Sequence, residues 1–148
     1  MNIADFLSPT DTMVERRTLD KVQLLKELAI RAAANCQLAA GLVADAILKR
    51  EDLGSTGMGG GIAIPHARFP ELTRPSGVLV RLKKPIDFDA VDGRPVDIVF
   101  LLVAPDSGQL NALACIARGL RDPDVASDLR QAKDGAALYR AIVAGTKS

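Results

Sequence analysis

Between Val96 and Val103 the chain is apolar and rich in β-branched residues, with Asp97 its only charge. A strand of that composition has no polar face to give to water, so it belongs at the centre of a sheet covered on both sides. Helical patterns before and after the strands can supply the cover. Leu19, Val22, Leu25, Ala29 and Ala33 recur at helical spacing, and Leu24 and Leu28 widen the face. Thr18 is the expected N-cap, with Asp20 in the first turn and Asn35 as the stop. A second helix is expected over about 39–51, with Leu42, Val43, Ala46 and Ile47 on one side. After the apolar run, Leu110, Leu113, Ala114, Ala117 and Leu120 restore the helical period. Shorter helices are expected over 123–131 and 134–143, with Leu138, Ala141 and Ile142 sharing a face. The expected fold class is α/β, a mixed central β-sheet flanked by helices on both faces.

The 148 residues fit a single domain, long enough for a core without disulfide or metal staples. Residues 1–18 show no clear period, although Met13-Val14 is a short strand candidate. Ile62-Ala63-Ile64 reads as a buried strand stopped by Pro65, and Gly77–Leu82 as another ended at Pro85. Asp92-Gly93 is a hairpin-turn signal. The segment from Gly54 to Gly61 holds five glycines in eight residues, and a loop of unusual dihedrals is expected there instead of regular structure.

Several function classes are disfavoured. With 19 basic and 18 acidic residues the net charge is +1, which gives no electrostatic reason for nucleic acid or an anionic membrane as main partner. Trp is absent and aromatics are scarce, so base-stacking platforms are not expected. The longest strongly apolar stretch, Ile98 to Ala104, is far short of the roughly 20 residues of a spanning helix. No charged-then-apolar leader opens the chain, and a cytoplasmic protein is expected. Cys36 and Cys115 stand far apart in apolar helical patterns and are expected as buried, reduced thiols. One histidine and no Cys-x-x-Cys exclude the common zinc arrangements, so neither a metal nor another cofactor is expected. There is no G-x-S-x-G elbow, and the glycine segment lacks the Lys-Ser/Thr ending of a nucleotide-binding loop.

His66, the only histidine, directly follows Ile62-Ala63-Ile64-Pro65. A lone histidine is more often structural than functional, but the neighbours here favour function. Gly59, Gly60 and Gly61 offer backbone N–H groups of the kind that form anion-binding concavities. Ser55 and Thr56 add hydroxyl donors, or else only stabilise turns. Arg50 brings a fixed cationic fork, or else is a solvated helix end. Together these parts suit phosphoryl transfer through histidine. Neutral imidazole is nucleophilic without a deprotonating base, and such transfer is mainly positioning plus charge stabilisation.

The run Arg50-Glu51-Asp52-Leu53-Gly54-Ser55-Thr56-Gly57, followed by Gly61-Ile62-Ala63-Ile64-Pro65-His66, closely resembles the IIA domains of the bacterial phosphotransferase system, mannitol/fructose type. The later run Pro85-Ile86-Asp87-Phe88-Asp89-Ala90-Val91-Asp92-Gly93-Arg94-Pro95-Val96-Asp97 is most similar to the nitrogen-regulatory branch. The resemblance spans about residues 5 to 144. It implies that His66 accepts a phosphoryl group, on Nε2, from an HPr-like phosphocarrier protein, and that Arg50 stabilises the phosphoryl charge. In the regulatory branch the phosphorylation state is itself the output, signalling nitrogen, potassium or carbon status to targets such as potassium-transport or sensor proteins. In sugar-specific members the group passes to a IIB domain during fructose- or mannitol-type uptake. A chain standing alone, without a fused IIB or membrane domain, favours the regulatory reading. One departure stands out. Family members usually carry a second histidine at the start of the helix after the central strand, and this chain has Gln109 there, which can donate a hydrogen bond to phosphate but is never cationic.

Overall fold

The computed structural model describes residues 1–146; the last two residues of the expected 1–148 domain lie outside the described residues. The sheet is mixed, as expected. Its strands are β1 (Thr12–Glu15), β2 (Gly57–Gly59), β3 (Ile62–Ala63), β4 (His66–Arg68), β5 (Ser76–Ile86) and β6 (Val96–Ala104). The order is β1-β5-β6-β3-β2, with β4 paired to β6 beyond β3. Strand β6 is the centre: antiparallel to β5 on one side, parallel to β3 and then β4 on the other.

Residues of β6 alternate between two cores. Ile98, Phe100 and Leu102 face α3 (Gln109–Leu120), α4 (Pro123–Gln131) and α5 (Gly135–Gly145), where Ile116, Leu120, Leu129, Leu138 and Ile142 are buried. Val99, Leu101 and Val103 face α1 (Lys21–Cys36) and α2 (Ala40–Asp52), packing with Leu24, Leu28, Val43 and Ile47. Both faces of β6 are thus covered, as its composition demands.

The structure corrects several local expectations. Helix α1 is capped by Asp20, not Thr18: the Asp20 carboxylate accepts from the Gln23 N–H while the Gln23 side chain accepts from the Asp20 N–H. This capping box was legible as Asp-x-x-Gln. Asn35 does not stop the helix. It lies inside it and donates to Asp11, while Gln37 ends α1 in the left-handed region at φ 58°. Val22 and Leu42 point to solvent, so the buried faces of α1 and α2 are rotated from those expected. Strand β5 runs through Pro85 to Ile86, with its register to β6 interrupted between Arg81 and Ile86, so the missing proline N–H breaks no regular ladder. Asp92-Gly93 does sit in a turn, closed by Gly93 N–H to Ala90 O, but within a longer connection from β5 to β6.

The glycine segment is only partly a loop. Gly57–Gly59 forms β2, antiparallel to β3, and Gly59, Gly60 and Gly61 turn the hairpin at φ 91°, 66° and 83°. Side chains rarely adopt three successive positive φ values, which accounts for the glycine run.

Candidate functional site around His66

His66 opens β4 opposite Leu102, near the C-terminal end of β6. Helix α3 starts at the same end of the sheet, after the four residues that follow β6, with Gln109 as its first residue. The placement of Gln109 at a helix start is as expected from the sequence. Helix α2 packs against β4 from the other face and ends in the turn that carries Arg50.

The imidazole is half-buried, and its Nδ1 lies 2.8 Å from Ile64 O. A carbonyl oxygen only accepts, so Nδ1 must carry the hydrogen in that bond. The neutral ring therefore has its lone pair on Nε2. Burial holds the imidazole below its ordinary pKa; the bond to Ile64 O opposes this, Arg50 adds to the depression, and Glu51 opposes it. Loss of hydration disfavours the cation more than the carbonyl bond favours it. The neutral, nucleophilic form is accordingly the resting form at neutral pH.

Arg50 is partly exposed, and its Nη1 donates to Gly54 O at 2.8 Å. That bond closes the turn after α2 and holds the guanidinium near the helix end. Arg50 exerts a charge effect on His66, so the two lie within electrostatic reach.

The other sequence-selected residues divide. Thr56 comes back alongside the site, its carbonyl accepting from Ile64 N–H at 3.1 Å. Its hydroxyl and N–H are both given to the Glu51 carboxylate. Ser55 Oγ donates to Phe88 O at 2.9 Å and accepts from Gly57 N–H. The hydroxyl hydrogens expected to meet a phosphoryl group are thus already engaged inside the protein. Gly59, Gly60 and Gly61 do not cradle His66. Gly61 O accepts from Asp97 and Ile98 at the start of β6, whereas His66 pairs four residues further along, a separation of about 13 Å. The Gly60 N–H is also taken, by Asp92. The glycines serve a hairpin turn, and the anion nest expected from their sequence is not at the histidine.

Sequence reasoning passed over Glu51, which is 7% exposed. The signal was present: Val43, Ile47 and Glu51 are spaced by four on the buried face of α2. Its partner Lys21 comes from another helix and needs the tertiary fold to be seen, at 3.3 Å from Oε2. Cys115 is buried, while Cys36 is only partly so, contrary to expectation, because it ends α1 where the packed face runs out. No group of acidic, histidine or cysteine side chains among the described residues is arranged to hold a metal ion. No helix among them is long and apolar enough to cross a membrane.

Residues 5–144 match the family model described as phosphoenolpyruvate-dependent sugar phosphotransferase system, EIIA 2. A nitrogen regulatory protein of Bradyrhizobium diazoefficiens is 43% identical over 145 residues, covering 96% of this chain and 95% of its own. A fructose-specific EIIA component of Haloferax volcanii is 33% identical over 142 residues, covering 90% and 91%. The crystal structure of nitrogen regulatory protein IIA-Ntr from Neisseria meningitidis superposes with a TM-score of 0.85 at 26% identity, covering 95% of this chain and 98% of that one. With the family model matching nearly end to end and both sheet faces covered as the sequence demands, the chain belongs to the EIIA 2 family of the phosphoenolpyruvate-dependent sugar phosphotransferase system.

Proposed function

We propose that this protein carries a phosphoryl group on Nε2 of His66 and acts chiefly as a regulator whose phosphorylation state is read by other proteins. The observation that carries the reading is the Nδ1 contact to Ile64 O, which leaves the Nε2 lone pair free on a half-buried neutral ring within the field of Arg50.

In the proposed step, Nε2 of His66 attacks the phosphorus of a phosphohistidine on an HPr-like donor. The new N–P bond forms as the donor's N–P bond breaks, and that electron pair returns to the donor imidazole. The hydrogen on Nδ1 stays with Ile64 O throughout, so no base is needed at His66. Exchange between two imidazoles is close to thermoneutral and reversible. Arg50 faces the charge spread over the equatorial oxygens. Gln109 adds a neutral side-chain donor at the start of α3, where the helix dipole already favours an anion. Ser55 and Thr56 act by holding the strand beside His66, since their hydroxyls are spent on Phe88 O and Glu51.

The regulatory branch is favoured by the 43% identity to a nitrogen regulatory protein over nearly the full length of both chains. The likeness to a fructose-specific component supports the second reading, in which the group passes on to a IIB domain. A cytoplasmic location and signalling to potassium-transport or sensor proteins belong to the first reading. The test is affinity capture from lysate of the organism that encodes the chain, with phosphorylated and unphosphorylated protein as paired baits. Partners that differ between the two forms and are not IIB domains support regulation; a IIB domain as the sole form-dependent partner contradicts it.

A further inference from the structure

Glu51 is a carboxylate in an unusual setting. Its side chain is 3% exposed, on the buried face of α2, one residue from Arg50. It accepts from the Thr56 N–H and hydroxyl, yet hydrogen bonds do not neutralise its charge. The compensating cation is Lys21, 16% exposed, with Nζ 3.3 Å from Oε2. Lys21 Nζ also donates to Phe88 O at 3.1 Å and lies 4.6 Å over the Phe88 ring. Lys21 is the first residue of α1, where the helix dipole disfavours a cation. Its placement is thus unfavourable for the helix and is offset by what the side chain reaches.

We propose that Lys21 is a positioning residue for the chemistry of His66, compensating the Glu51 carboxylate so that Arg50 sets the field met by the imidazole and an incoming phosphoryl group. The inference rests on the phosphocarrier reading above and adds to it a residue no sequence motif selected. It also gives the Pro85–Asp97 run a role. Phe88 O accepts from both Lys21 and Ser55, and a Cβ on Gly57 would meet Ala90 Cβ at 2.8 Å, so this segment clamps the turn between α2 and β2.

The charges facing His66 are few. From α2 they are Arg50 and Glu51. On β4, Arg68 stands 3.9 Å from Asp106. Strand β6 carries no charge from Ile98 to Ala104, and α3 opens with neutral Gln109. Asp89, on the loop, is 78% exposed and 3.7 Å from Lys21. Glu51 draws the imidazole towards the imidazolium; Lys21 beside it offsets that pull, and without Lys21 the carboxylate would favour the imidazolium more strongly and repel a phosphoryl dianion.

Because His66 is the only histidine, its pKa can be read by NMR without assignment ambiguity. The variants are Lys21→Met, Glu51→Gln, the double Lys21→Met/Glu51→Gln, and Lys21→Arg. The expected order of His66 pKa is Glu51→Gln lowest, wild type and the double variant together in the middle, and Lys21→Met highest, by roughly half a unit or more. Phosphorylation of Lys21→Met should slow by roughly tenfold, less than the loss of a direct charge-stabilising donor, and Lys21→Arg should recover most of that rate. Loss of packing alone would not move the two single variants in opposite directions. If Lys21→Met fails to fold, Glu51→Gln below the double variant supports the proposal on its own. Single variants that shift the same way, or not at all, overturn it. The expected pKa order in a protein that no HPr-like donor phosphorylates would support the charge compensation and reject the phosphocarrier reading.

Discussion

At the scale of single residues, the account turns on which His66 nitrogen is free and on the charges around it. The imidazole is held below its ordinary pKa of 6.5 mainly by burial. The neutral ring is therefore favoured at neutral pH, and phosphorylation should fall as pH drops below 6.5, where the imidazolium has no lone pair to offer; initial rates with a fixed donor across pH check this. The same shift has a stability consequence. Below 6.5 the unfolded chain binds a proton that the folded chain resists, so stability declines as pH falls through the window between the folded and unfolded pKa values. In His66→Gln that component should vanish, as thermal melts from pH 5 to 8 will show. Arg50→Ala should slow phosphorylation several-fold or more while costing about 1 kcal/mol, since its bond to Gly54 O is exposed. Unchanged kinetics in that variant would make Arg50 a closure for the turn alone. Gln109→His should raise the rate at mildly acidic pH, with the gain fading towards alkaline pH as the new imidazole loses its proton. Gln109→Ala should slow transfer modestly without unfolding the protein. Identical pH profiles for all three forms would remove position 109 from the site.

Among the elements, what the sequence made legible was what repeats along it. The β6 run announced a central strand because eight consecutive side chains cannot all reach water, and the 3.6-residue period announced α1 to α5. The histidine was equally plain, but its strand was not: Pro65 reads as the end of the strand, and the chain resumes as β4 at His66. What it hid depends on pairing across distance. The Gly59–Gly61 turn looks like an anion nest when only local dihedrals are considered, and its registry with Asp97 and Ile98 shows that it turns a hairpin at the other end of the sheet. Ser55 and Thr56 read as free donors until Phe88 and Glu51 are brought against them. Helix faces slipped for a related reason: Val22 fits the period of α1, but the cluster of Leu24, Leu25 and Leu28 decides which side is buried. The contact of Gly57 with Ala90 yields a prediction at this scale. Gly57→Ala should destabilise by about 1–3 kcal/mol, because neither backbone can easily withdraw. Denaturant melts read the loss, and a variant as stable as wild type would show that the loop over β2 is not a clamp. Cys36 and Cys115 should also separate. Burial pushes the Cys36 thiol up, yet it is partly accessible, so it should label slowly in the native state while Cys115 reacts only after unfolding. Thiol titration before and after denaturation decides it, and rapid labelling of Cys115 in the folded protein would contradict its burial.

For the whole molecule, the sheet gathers the site at one end. His66 opens β4 beside the C-terminal half of β6, the last turn of α2 brings Arg50 within its electrostatic reach, and α3 begins with Gln109 shortly after β6 ends. The most direct test of the central claim is to incubate the protein with a phosphorylated HPr-like donor and locate the phosphoryl group by phosphorus and nitrogen NMR. The account predicts a single phosphoramidate on Nε2 of His66, labile in acid, stable in base and absent from His66→Ala. A phosphoryl group on Nδ1, label retained by His66→Ala, or no transfer at all would contradict it.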